Sequence, residues 1–170
     1  MSQNQNVFAK LADEDSVVIS LSQYKVKDVP KDVGQLTKAI TLAISPEPLK
    51  TGWTIYPPLS AFEEYVDRPP FRNLPNEIAC LVKLRELKLS HLELKTLPTA
   101  FDKLENLETL DLTLNKLTIK DEIDKLKNLK KLKQLALFGN RVTKADVVQL
   151  KAAIPALSID LEEYFKEMEK

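Results

Sequence analysis

The sequence is poorest in the residues that build reactive centres: its 170 residues include one cysteine, one histidine and three glycines. The single cysteine, Cys80, makes an intrachain disulfide impossible. The single histidine, His91, excludes paired-histidine metal motifs. Gly34, Gly52 and Gly139 are scattered, whereas a phosphate-cradling loop or a dinucleotide fingerprint needs its glycines clustered. No apolar run approaches the roughly 18 residues that a membrane span requires. Residues 1–6 lack the basic region and apolar core of a secretory signal, so none is expected. An excess of charge is missing too, because 25 Lys and Arg balance 25 Asp and Glu. No net field draws the chain to nucleic acid or to an anionic membrane, and neither is expected as a partner. Carboxylates are plentiful but point to surface rather than to general acid–base work. Neither an enzymatic activity nor a metal or other cofactor is expected.

What the chain has in abundance is leucine at fixed spacing. With 44% hydrophobic and 29% charged residues, it has the composition of a folded, soluble domain, and its length suffices for one continuous core. Three segments between residues 74 and 140 overlay one another. The first reads Leu74-Pro75-x-x-Ile78-x-x-Leu81-x-x-Leu84-x-x-Leu87-x-Leu89. The second runs from Leu97-Pro98 through Phe101, Leu104, Leu107, Leu110 and Leu112, and the third through Leu126, Leu129, Leu132, Leu135 and Leu137. Leu89, Leu112 and Leu137 lie 23 and 25 residues apart. The closing Leu-x-Leu predicts a short strand that buries one face and shows the other. The spacing of three before it predicts a 3₁₀ or helical segment on the opposite side of each coil. Asn115 and Asn140 follow where the chain turns off the strand, and their amides can satisfy backbone groups of neighbouring coils that water cannot reach.

Leu107-x-x-Leu110-x-Leu112-x-x-Asn115-x-Leu117 resembles the signature of the leucine-rich-repeat family at every position. The resemblance implies an α/β solenoid with a curved parallel β-sheet on the concave side and short helices or 3₁₀ turns on the convex side. It implies about seven coils with helical caps, the strands falling near residues 19, 42, 64, 87, 110, 135 and 157. It also implies a module that binds another macromolecule. Many extracellular members of the family seal their ends with cysteine-rich caps, which one cysteine cannot supply. A reducing, cytoplasmic setting is therefore expected, with secretion by a signal-less route left open. Cys80 would fall on a convex segment and His91 just past a strand, so the dyad that their count allows is not expected to form.

Read in order, residues 1–16 are expected as an N-terminal cap, 17–45 as the first coils, 46–73 as an irregular coil, 74–160 as regular repeats and 161–170 as a C-terminal cap, all one domain. Val7, Phe8 and Leu11 would face the core from a short amphipathic helix, because a solenoid's first coil needs a cover. Val17 to Leu21 alternates as a strand does, and Ile19 overlays Leu87 at an offset of 68, close to three periods. Leu42 overlays Leu87 at 45, close to two, so one further coil is expected between them. That coil fits poorly: projected register puts Glu64 and Val66 at strand positions, and an unpaired glutamate facing an apolar core is costly. A slip toward Phe62 or Tyr65 would relieve this. Pro46, Pro48, Gly52, Pro57, Pro58, Pro69 and Pro70 give the segment a loop composition. Its aromatics either tuck into the core or present Trp53 and Tyr56 to a partner.

Residues 119–133 read as a longer convex helix around Ile123, Leu126 and Leu129. Lys125, Lys127, Lys130, Lys131 and Lys133 form a basic patch, but Asp121, Glu122 and Asp124 accompany it, which favours a solvated helix over a phosphate site. Residues 143–154 read as another helix, stopped by Pro155. Ile154-x-x-Leu157-x-Ile159 would supply the last strand, and Leu161, Tyr164 and Phe165 would close the far end.

By this register the outward strand residues are Val18, Ser20 and Ser22; Thr41, Ala43 and Ser45; Glu86, Lys88 and Ser90; Thr109, Asp111 and Thr113; Gln134, Ala136 and Phe138; Ala156, Ser158 and Asp160. Most are small and polar, a shallow platform that suits a macromolecule better than a small ligand. Phe138, with Leu114 and His91 one position further on in their own coils, would form an exposed apolar cluster on the rim. The expected site is therefore Glu86, Lys88, Ser90, His91, Thr109, Asp111, Thr113, Leu114, Gln134 and Phe138, with Trp53 and Tyr56 as a possible second one and Asn115 and Asn140 as a structural ladder. The expected function is a non-catalytic protein-interaction module, most simply a monomer. The alternatives are a structural or self-associating protein, including a homo-oligomer, and a small effector or immunity-like protein.

Overall fold

The computed structural model describes residues 7–21, 28–46, 73–161 and 164–165. Among these, six parallel strands form one sheet in chain order: β1 (Ser16–Ser20), β2 (Thr41–Ser45), β3 (Glu86–Lys88), β4 (Thr109–Asp111), β5 (Gln134–Ala136) and β6 (Ser158–Ile159). The spacing of three between apolar residues predicts 3₁₀ segments, and these occur at Lys31–Gln35, Asn76–Cys80 and Phe101–Lys103. Each is opened the same way. The N–H groups of Val33, Ile78 and Phe101 donate to the carbonyls of Pro30, Pro75 and Pro98, and those of Leu36, Leu81 and Leu104 then donate to Val33, Ile78 and Phe101. With three residues per turn, side chains at i and i+3 fall on one side. Val33, Leu36, Ile78, Leu81, Phe101 and Leu104 are accordingly buried without exposure.

The solenoid is the one that the repeats predict, with three differences. First, β2 pairs directly with β3, Thr41 with Glu86 and Leu42 with Leu87. The coil expected between them is not in the sheet, which counts six strands among the described residues rather than seven. The coils also touch on the convex side, where a Cβ on Gly34 would come within 3.0 Å of the Cβ and carbonyl oxygen of Glu77. Sequence spacing measures chain length, and a 45-residue connection can join strands as close as a 23-residue one does. The projected positions Glu64 and Val66, with Phe62 and Tyr65, lie outside the described residues.

Second, β1 is displaced by two residues: Val17, not Ile19, stands beside Leu42. Third, β6 is displaced likewise, with Ile159 beside Leu135. Leu157 instead takes the turn position before the strand, its N–H donating to Ile154 as Leu132 donates to Leu129. A slip of two keeps every side chain on its own face, so periodicity could not detect it. The apolar face stays inward, but Ser20, expected outward, is buried, while Val18 is 58% exposed.

The covers at the ends are partly visible. Helix α1 (Val7–Leu11) buries Phe8 and packs Leu11 on the core. Leu161 and Phe165 pack at the far end, but Tyr164 stays 56% exposed, set edge-on against Phe165. On the convex side α2 (Ile119–Leu126) is shorter than the helix expected over residues 119–133. Helix α3 (Lys144–Ala153) matches its expected span and starts in a capping box between Thr143 and Asp146. No helix among the described residues is long and apolar enough to cross a membrane.

Candidate concave interaction face

The strand pairing lays the expected site residues in rows across the sheet. Glu86, Thr109 and Gln134 form the first row, and Lys88, Asp111 and Ala136 the second. The same register carries on to Ser90, Thr113 and Phe138, because the N–H groups of His91 and Leu114 donate to the carbonyls of Thr113 and Phe138 at 3.1 and 2.7 Å. Thr109, Asp111, Ala136, Ser90 and Thr113 keep the middle of the platform low, while Glu86, Lys88 and Gln134 are longer. Phe138 breaks that pattern, exposing 54% of its surface.

Just past the strands the chain turns through left-handed backbone at His91, Leu114 and Gly139, with φ of 60°, 54° and 81°. Glycine accepts this region freely and leucine does not. Gly139 is required for space as well, since a Cβ there would approach Leu114 Cδ2 to 2.7 Å. Leu114 therefore lies down over the glycine of the next coil and is half-buried, as is His91. Of the rim cluster expected from Phe138, Leu114 and His91, only Phe138 is fully displayed.

The ladder residues follow one position later. Asn115 is 4% exposed, and its Oδ1 accepts from the N–H groups of Leu92 and Leu94 at 3.1 and 3.0 Å. Its Nδ2 donates to the carbonyls of Leu89 and Leu112, both at 2.8 Å. Asn140 repeats this toward the Leu117 N–H and the carbonyls of Leu112 and Leu137. The β3 coil has Leu92 at this position and relies on Asn115 from the next coil. Directly after β6, Asp160 continues the pairing with its carboxylate, accepting from Leu137 and Phe138 N–H at 2.9 and 3.0 Å. Sequence reasoning placed Asp160 only as an outward residue.

Electrostatically the face divides. Glu86 and Lys88 neutralise each other at 2.6 Å. Asp111 accepts from the Thr113 N–H and hydroxyl. Burial lowers the pKa of His91, and the charge of Asp111 opposes that only in part, which favours the neutral imidazole. Below the first row, Lys133 and Arg85 flank Glu108, and the hydrogen bond and charge of Lys133 hold its carboxyl below the usual range.

The convex helix is not wholly solvated as its charges imply. Glu122 is 2% exposed. Its Oε1 accepts from Thr96 Oγ1 at 2.7 Å, and its Oε2 from the Leu97 N–H at 3.2 Å and Lys125 Nζ at 2.6 Å. Lys125 donates in turn to the Leu97 carbonyl at 2.7 Å. Nothing in a single sequence marks this glutamate among its neighbours, because its partner Thr96 comes from the preceding coil. Lys127 pairs with Asp124, and Lys131 and Lys133 bond Asn106 and Glu108, so most of the basic patch is engaged.

Cys80 is exposed on a 3₁₀ segment and His91 lies beyond β3 on the concave rim, so the two do not meet. Among the described residues no three histidine, cysteine or acidic side chains are grouped to hold a metal. Trp53 and Tyr56 lie outside the described residues.

No family model and no curated protein matches this sequence. Among solved structures, a leucine-rich-repeat protein of Leptospira interrogans is 25% identical, with a TM-score of 0.49 over 78% of this chain. An internalin of Listeria monocytogenes is 17% identical, with a TM-score of 0.49 over 78% of this chain. Internalin C2 of the same organism is 18% identical, with a TM-score of 0.47 over 79%. This chain spans 33% of the Leptospira protein, 37% of the first internalin and 65% of internalin C2. The solenoid stands on its in-register sheet and asparagine ladder, independently of these scores.

Proposed function

We propose that this chain, a leucine-rich-repeat solenoid by its repeats and its sheet, is a non-catalytic module that binds a protein partner through its concave face, centred on Phe138. The observation that carries the reading is the display of one large aromatic side chain, 54% exposed, at the end of a platform whose other residues are polar or small. The backbone beneath it is tied on both sides, by Asp160 to its N–H and by Leu114 to its carbonyl. Rigid, exposed aromatics are frequent anchors of interfaces because little entropy is lost when they are covered. The exposed Cys80 thiol suits a reducing, cytoplasmic setting.

Partners captured from cell lysate on the wild-type chain provide the test. Phe138→Glu, alone and with Asp111→Lys, is expected to weaken their binding at least tenfold while moving the melting temperature little, because both side chains lie outside the core. Unaltered capture by the double variant, together with loss on changing Trp53 or Tyr56, would move the site to residues 46–73. The second reading, self-association, is favoured by Val18, an apolar side chain 58% exposed on the edge strand β1. Light scattering separates the two, since a strict monomer at high concentration removes the second.

A further inference from the structure

The concave reading leaves open what kind of surface would seat on Phe138, and the charges around it narrow the choice. Asp111 lies beside Ala136 in the second row. Asp160 lies on the other side of β5, its N–H donating to Leu135 and its carboxylate reaching the N–H groups of Leu137 and Phe138. Ala136 is thus a low floor between two carboxylates, with Phe138 rising at one end. Neither carboxylate has an ion-pair partner among the described residues, in contrast to Glu86, which Lys88 neutralises. Backbone N–H groups satisfy the oxygens of Asp160 as acceptors but do not remove its charge. Two carboxylates without an ion pair among the described residues thus stand near an aromatic ring that is 54% exposed, with Lys88, on the far side of Asp111, already engaged by Glu86.

We propose that the Ala136 floor, between Asp111 and Asp160 and against Phe138, is the seat for a basic side chain, arginine above all, carried by an exposed segment of the protein partner. A guanidinium lies flat on an aromatic ring while its edge N–H groups pair with carboxylates, and it is less strongly hydrated than an ammonium. Thr109, Thr113 and Ser90 beside this floor are small and let a partner's backbone come close enough for the side chain to reach it. An acidic or purely apolar segment would leave both carboxylates covered and unpaired.

The inference rests on the concave-face reading but is tested apart from it, with the full chain and a fluorescein-labelled peptide of four Gly-Arg repeats, read by anisotropy at low salt. The peptide is expected to bind, and a Gly-Glu peptide of equal length is not. Phe138→Ala and Asp111→Asn should each weaken binding severalfold, and Asp111→Asn with Asp160→Asn roughly tenfold or more. Glu105→Gln with Asp121→Asn removes the same charge from exposed positions off the concave face, and should change it less than about twofold. Equal weakening by that control pair would reduce the effect to net charge and overturn the proposal, as would binding that ignores Phe138→Ala. Should Asp160→Asn lower the melting temperature, Asp111→Asn and Phe138→Ala alone decide. If captured partners are lost on Phe138→Glu yet the arginine peptide fails to bind, the basic-segment proposal falls and the concave-face reading stands.

Discussion

The two sides of the solenoid are fastened differently. At the strand ends a neutral amide, Asn115, satisfies backbone groups of two coils, and Asn140 repeats the device one coil on. On the convex side Glu122 and Lys125 close around Thr96 and Leu97 of the preceding coil, whereas the buried Asp146 of the next coil bonds only Thr143 of its own among the described residues. The strand side must repeat because every coil leaves the same carbonyls and N–H groups facing the next. The convex side varies freely, so a coil that replaces a Pro-started 3₁₀ turn by a helix needs its own fastening. A surface held in a repeating frame is the better place to keep a binding platform, since its side chains can change while the backbone beneath does not.

The largest effect expected from breaking this comparison is on the convex side. Glu122→Ala strands Lys125 and the Leu97 N–H, and should cost about 3–5 kcal/mol in chemical denaturation. Lys125→Ala should cost a comparable amount, because it leaves the buried Glu122 carboxylate without its counter-charge. A much smaller cost would show that the bonds of Glu122 to Thr96 and Leu97, rather than the ion pair, hold the helix.

An intermediate effect is expected along the ladder. Asn115→Ala leaves buried groups of two coils unpaired and should cost roughly 2–3 kcal/mol, and Asn140→Ala, half-buried and with fewer bonds, about 1 kcal/mol. A reversed order, read from denaturation midpoints, would mean that the ladder is weighted toward the C-terminal coil.

The smallest effect concerns His91. Its burial lowers the folded-state pKa, so the unfolded chain binds the proton more readily. The stability tied to its neutral form is complete above the ordinary value near 6.5 and declines as pH falls from there toward the folded value. His91→Asn should flatten this slope between about pH 7.5 and 5.5 and raise stability by under about 1 kcal/mol, since asparagine tolerates positive φ better. A slope that persists in the variant would assign it elsewhere. The lowered carboxylates of Asp13, Glu108 and Asp124 act only at lower pH.

Most of the architecture was legible in the leucines. Their spacing dictated a parallel solenoid, the inward side of its strand leucines, the turns after Pro30, Pro75 and Pro98, and the ladder role of Asn115 and Asn140. These follow from the chain alone because side-chain direction in strands and 3₁₀ turns depends only on residue count. What spacing cannot decide is adjacency. That β2 lies beside β3, that β1 and β6 slip by two, and that Leu114 folds over Gly139 are set by which coil presses on which. The same holds for the chemistry of the surface. Phe138, Asp111 and Asp160 are separated by 27 and 22 residues in sequence, and Glu122 stands 26 from Thr96. Periodicity settled which side of the sheet each would occupy; only the stacking of coils decided that Asp111 and Asp160 would flank Ala136 near Phe138, and that one glutamate among many would be buried.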